Sequence, residues 1–162
     1  MVVVGTSFEE CFREHYPSIV AYGTALTGDR DSARDLAQEA FARLHANWTK
    51  IEQYDAPGAW LRRVMANLAI DRHRSRTSER RAVDRLRNRA TPMAASPRDD
   101  DAWIRLVGEL PPRQRAIVTL HYGEDMAVAD IAELLDINVN TVKSALFKAR
   151  ETLRKNWEEG DA

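Results

Sequence analysis

From Pro57 to Arg76 apolar side chains recur at Leu61, Val64, Met65 and Leu68, a spacing of i, i+3, i+4 and i+7. That period places them on one stripe of a helix facing a core. Pro57 suits a first helical position, and after Gly58 no glycine or proline follows for the rest of the stretch, so the pattern predicts one long helix over 57–76. Upstream, Ser7-Phe8-Glu9-Glu10 matches a capping box and starts a helix whose apolar side carries Phe8, Phe12, Ile19, Tyr22 and Leu26. Pro17 should bend or restart that helix, and Thr27-Gly28-Asp29 should end it. Asp31 is then placed to cap a second helix from Ser32 to Ala46, with Ala33, Leu36, Ala37, Ala40, Phe41 and Leu44 as a wide apolar stripe. Residues 47 to 56 show no period and read as a loop into the long helix.

After Arg76 the pattern fades. Residues 77 to 90 hold five arginines and few apolar side chains, and Thr91 to Asp100 carries two prolines among small polar residues. This composition predicts a flexible linker over 77–100. Periodicity returns with Trp103, Leu106, Val107 and Leu110, is broken by Pro111-Pro112, and resumes from Arg113 to Tyr122, where Ile117, Leu120 and either His121 or Tyr122 point inward. Val128 to Leu135 reads as a short helix with Ile131, Ala132, Leu134 and Leu135 inward. A tight turn, Asp136-Ile137-Asn138-Val139, follows, and Asn140 is placed to cap a longer helix from Thr141 to Trp157. Two helices around a turn plugged by one apolar residue, Ile137, make a helix-turn-helix. The expected fold is all-α: two small helical domains, 8–76 and 101–158, joined by the linker.

The polar faces carry the candidate chemistry. On the long helix Trp60, Arg63, Asn67, Asp71 and Arg74 line up beside the core stripe. An indole, guanidiniums and an amide are the groups that stack on, neutralise and hydrogen-bond an unpaired nucleic-acid strand. A solvated basic face with Trp60 folded inward accounts for the same spacing in an isolated helix. Asp35, Gln38 and Glu39 form an acidic face on the preceding helix; it suits a basic partner, although Glu39 can instead pair with Arg43. On the last helix Lys143, Phe147, Arg150 and Arg154 face out opposite Val142, Leu146, Ala149 and Leu153. An exposed Phe among cations suits a DNA major groove.

Composition sharpens this picture. The net charge of -1 over 162 residues conceals a basic middle. Residues 60–90 hold 10 basic against 3 acidic side chains, while 1–59 hold 5 against 9 and 91–162 hold 9 against 13. Cys11 is the sole cysteine, so no internal disulfide is possible, and no histidine stands at metal-ligand spacing from it. His121 reads as a packed side chain. No cofactor, metal or catalytic residue is expected, because carboxylates are spread over helix surfaces without a paired constellation. No apolar run approaches a membrane span, and Met1 to Ser7 lacks a secretory signal's basic start, so the protein is expected to stay in the compartment where it is made.

Six motifs in order now carry a resemblance: Leu26-Thr-Gly-Asp29, Ala33-Arg-Asp-Leu-Ala-Gln-Glu-Ala-Phe41, Pro57-Gly-Ala-Trp-Leu-Arg-Arg63, Asn67-Leu-Ala-Ile-Asp-Arg72, Leu110-Pro-Pro-Arg-Gln-Arg115, and Ile131-Ala-Glu-Leu-Leu135 with Val139-Asn-Thr-Val-Lys-Ser144. From Phe8 to Trp157 the chain resembles the extracytoplasmic-function sigma factors, small two-domain subunits of bacterial transcription initiation. The resemblance implies that the first domain is sigma region 2 and the second sigma region 4. It further implies a cytoplasmic protein, at the nucleoid or held at the membrane by an anti-sigma factor. Its other partners would be promoter DNA and the clamp helices and flap of core RNA polymerase. Asp35, Leu36, Gln38, Glu39 and Phe41 would dock on polymerase. Trp60, Arg63, Asn67, Asp71 and Arg74, with the loop from Trp48 to Ala56, would open and read the minus-ten element. Asn140, Thr141, Lys143, Ser144, Phe147, Arg150 and Arg154 would read the minus-thirty-five element.

The chain departs from the family at Asp136, where Gly is usual, at Asn140, where a small residue is frequent, at Ala145, commonly Arg, and at Ala127-Val128, which lacks a polar cap. Two other classes stay open. A stand-alone helix-turn-helix repressor shares the second domain but leaves the Trp60 to Arg74 stripe unexplained, and a nucleic-acid enzyme needs a carboxylate or metal cluster that the sequence does not show.

Overall fold

The Ser7 hydroxyl accepts the Glu10 N–H, and the Glu10 carboxylate accepts the Ser7 N–H, both at 3.2 Å, so the capping box opens α1 (Phe8–Thr27). In the computed structural model the chain is described over residues 6–51, 56–83 and 99–160, with side chains at 6–51, 56–76 and 101–160. Residues 52–55 of the expected loop and 84–98 of the expected linker lie outside the described residues. All regular structure among the described residues is helical. Pro17 does not restart α1, which continues through it. Cys11 on one side and Ile19, Val20 and Tyr22 on the other are all buried, and that packing outweighs the one hydrogen bond the proline removes. Gly28, at a φ of 76°, supplies the left-handed residue that ends the helix.

α2 (Arg30–Ala46) starts two residues before the sequence suggested, because Asp29 rather than Asp31 is its cap. Asp29 accepts the N–H groups of Asp31 and Ser32 at 3.4 and 3.1 Å and the Ser32 hydroxyl at 2.8 Å. All six stripe residues from Ala33 to Leu44 are buried. Small residues let the helices approach closely: a Cβ on Gly23 of α1 would stand 2.5 Å from Met65 Cε and 3.1 Å from Ala33 Cβ. Part of the expected loop is a short helix, α3 (Trp48–Ile51), anchored by buried Ile51 and by Trp48 edge-on to Phe8 at 5.7 Å. α4 (Pro57–Val83) extends past Arg76 and buries Leu61, Met65, Ala66, Leu68 and Ala69.

The second half comprises α5 (Asp99–Gly108), α6 (Pro112–Val118), a π turn (Thr119–Gly123), α7 (Val128–Leu135) and α8 (Val139–Gly160). The π turn replaces the last turn of the helix expected through Tyr122, which leaves Leu120 buried and Tyr122 exposed. α7 has the bounds the pattern predicted, and Ala127 gives it no side-chain cap. Its end falls at Asp136, which adopts the left-handed conformation (φ 54°, ψ 52°) usual for Gly. α8 is capped by Asn138, whose side chain accepts the Asn140 N–H at 2.8 Å; Asn140 itself lies inside the first turn.

The halves are packed on each other. α1 contacts α5 and α6, α4 contacts α6 and α7, and the buried side chains of both halves form one continuous cluster.

Candidate nucleic-acid interface

On α4 the core stripe and the polar stripe separate as the period requires. Arg63, Asn67, Asp71 and Arg74 are exposed along one line, with Trp60 half-buried at its start. The indole is thus fixed by packing at one edge and open at the other. Arg62, next to the stripe, turns inward and ion-pairs through Nε with Glu124 of the second half. Its Nη1 also donates to the Gly58 carbonyl at 3.1 Å. Arg63 stays on the stripe, its Nη2 3.9 Å from Asp136 Oδ2, so the turn of the helix-turn-helix sits beside the stripe.

The acidic face of α2 is present and partly engaged. Asp35 and Gln38 are exposed, while Glu39 accepts Arg43 Nη2 at 2.9 Å and lies 3.8 Å from Arg72 Nη2 of α4. Leu36 and Phe41 do not belong to this surface: both are buried, Phe41 against Phe12 at 4.8 Å, so they hold the face in place from inside. Leu36 follows Asp35 by one position and Phe41 follows Glu39 by two, offsets that do not share a helix face.

On α8 Asn140, Lys143, Ser144, Phe147 and Arg154 are exposed and Thr141 half-buried, with Val142, Leu146 and Ala149 in the core. Phe147 is 61% exposed and stands between Lys143 and Arg150 on the outward face. Arg150 is less free than its spacing suggested. Its Nε donates to the Tyr122 hydroxyl at 2.6 Å and its guanidinium stands 5.7 Å from that ring's centre. Arg154 pairs loosely with Glu158 at 3.9 Å. Ala145 is buried, so the family's commoner arginine is absent from a position this packing turns inward.

Sequence reasoning missed the seam between the halves. Arg62 and Glu124 are only 16% and 22% exposed as side chains. Beside them Tyr22 is buried with its hydroxyl unpartnered, and that burial, with the Glu124 charge close by, pushes its pKa well above the ordinary range. Arg115 reaches across to donate to the Leu26 carbonyl at 2.6 Å. These partners are 62 and 89 positions apart, and local periodicity carries no signal for them.

Two family models match the chain in the order of these elements: "Sigma-70 region 2" over residues 11–79 and "Sigma-70, region 4" over residues 100–153. The RNA polymerase sigma-E factor of Streptomyces coelicolor is 32% identical over 149 residues, covering 91% of this chain and 84% of its own length. The chain belongs to the sigma-70 family of RNA polymerase sigma factors. The extracytoplasmic-function (ECF) sigma factor SigW of Bacillus subtilis is 30% identical, over 80% of this chain and 78% of its own length, and fixes the class within that family. The fold agrees with that of a sigma factor RpoE, solved in complex with the anti-sigma factor NepR from Bartonella quintana. The two share a TM-score of 0.73 at 21% identity, covering 93% of this chain and 96% of that one.

Proposed function

We propose that this sigma factor binds core RNA polymerase through the acidic face of α2, captures the minus-ten strand on α4 and reads the minus-thirty-five element with α8. Promoter choice then comes from this chain and the bond-forming chemistry from the polymerase. The exposed line of Arg63, Asn67, Asp71 and Arg74 beside half-buried Trp60 carries this reading. A subunit that separates strands without a motor offsets lost base stacking by capturing bases, and a fixed indole with amide and guanidinium neighbours does that. Asn67, in the middle of the line, is the residue placed to hold an extruded base. No described helix is long and apolar enough to cross a membrane, which suits action at the nucleoid in the cytoplasm, where an anti-sigma factor would compete with polymerase.

Charge reversal tests the docking face. With Asp35→Lys and Glu39→Lys together, co-purification with core RNA polymerase should be lost, because like charges across an interface cost several kcal/mol. Helicity by circular dichroism should be kept, since Asp35 is exposed and Glu39 half-exposed. Undiminished polymerase binding by the folded variant would remove α2 as the docking face.

A further inference from the structure

The core-facing stripe of α4, Leu61, Met65 and Leu68, continues at the same helical spacing as Arg72 and Arg76. Two guanidiniums therefore continue the core-facing side of the helix, about half a turn away from the Trp60 to Arg74 stripe. They line a notch together with His73 of α4, Ser32 at the start of α2, and Pro112 and Arg115 of α6. Three guanidiniums and an imidazole border this notch, and among the described residues no carboxylate does. Two neighbouring acidic groups are engaged elsewhere. Glu39 stands 3.8 Å from Arg72 and already accepts Arg43, and Asp29 caps α2 through Ser32, with the Arg76 charge close enough to favour its carboxylate.

Arg115 is the least compensated of the group. Its Nη1 donates to the Leu26 carbonyl at 2.6 Å, and its Nη2 donates to the Gly108 and Leu110 carbonyls at 2.9 and 3.1 Å. All three acceptors are neutral, and its Nε is buried with no partner. A partly desolvated guanidinium that meets no carboxylate among the described residues, beside two more on a neighbouring helix, is an arrangement that an anion stabilises. A phosphate group fits the need, because its oxygens accept from several guanidinium forks at once.

We propose that this notch binds a phosphate group, free or carried on a small phosphorylated molecule, held between Arg72 and Arg76 of α4 and Arg115 of α6. The bound group spans the seam and fastens the helix-turn-helix half to the first half. Inorganic phosphate, pyrophosphate and a nucleoside diphosphate are each titrated into the full chain at constant ionic strength, followed by amide chemical shifts. Saturable shifts at Ser32, Ala69 and the α6 start, from both sides of the seam, are expected. Tighter binding of the nucleoside diphosphate than of inorganic phosphate identifies a phosphorylated metabolite, and the reverse order identifies the free ion. Arg76→Gln, which removes an exposed side chain and leaves the carbonyl contacts of Arg115 in place, should weaken binding about tenfold, the loss of one charge-assisted hydrogen bond. Lys148→Gln, on the far part of α8, should leave it unchanged. Shifts that fail to saturate, or that are equal in Arg76→Gln and the parent, overturn the proposal. So does a single-stranded oligonucleotide that moves these amides when the three small anions do not.

Discussion

Asp29 and Asn138 show what single residues decide here. Each caps a helix that the sequence assigned to a like residue two positions later, Asp31 or Asn140. The side chains are chemically equivalent as caps, so composition locates the helix start but cannot choose between them. The choice falls to the backbone: left-handed Gly28 turns the chain so that Asp29 meets the first free N–H groups of α2. Asp29→Ala should therefore cost about 1 kcal/mol in urea unfolding, and Asp31→Ala much less. The Ser32 hydroxyl and N–H, more than any other neighbours, hold the Asp29 carboxyl below the usual carboxylate range. Because the folded value is depressed, its contribution is present at neutral pH and is lost as the pH falls below about 4 and through the depressed value. Asp29→Asn keeps a cap and should flatten that part of the acid limb. An unfolding midpoint with the parent's acid dependence would assign the cap elsewhere.

At the scale of elements, the strong periods were legible. All six named positions of α2 are buried, as are Leu61, Met65 and Leu68 of α4 and Val142, Leu146 and Ala149 of α8, while Val64 and Leu153 are half-buried; α7 begins and ends as read. The π turn was not legible, since it depends on Leu120 reaching the core while Tyr122 swings out to meet Arg150. That contact engages Arg150 among the outward cations of α8. Lys143 is exposed in the turn that would enter a major groove first, whereas Arg154 lies about three turns further along, toward phosphates. Lys143→Ala should cost about 1 to 3 kcal/mol on the preferred sequence and relax one base position. Arg154→Ala should weaken all sequences alike and reduce the salt dependence by roughly one unit of slope. Binding of holoenzyme to duplexes with single-base changes, at several salt concentrations, separates the two. Uniform loss from both variants would deny α8's first turns a reading role.

For the whole molecule, the all-helical class and the two families of faces were readable, and the packing of one half on the other was not. The seam rests on Arg62 with Glu124, Arg115 with the Leu26 carbonyl, and Arg63 near Asp136, all between residues remote in sequence. It also sets a geometric condition. In B-DNA successive base pairs rise by about 3.4 Å, so elements some 25 pairs apart are separated by about 85 Å. α8, at 22 residues, is about 33 Å long, and the turn that leads into it lies beside the α4 stripe. If α4 and α8 read the two elements as proposed, the closed arrangement cannot reach both at once and promoter binding requires the seam to part. An ion pair such as Arg62 with Glu124 suits a contact that opens, because rehydration of both charges offsets much of what separation costs.

Transcription by core RNA polymerase with this chain, on templates randomised over two short elements and over the interval between them, tests the central claim most directly. Transcripts should depend on the chain and come from templates with one sequence near position minus ten and a second near minus thirty-five, at a single preferred interval. The Asn67→Ala chain should enrich the same upstream element while giving fewer transcripts. Transcripts that do not require the chain, or that show no preference at either element, would contradict promoter recognition by α4 and α8.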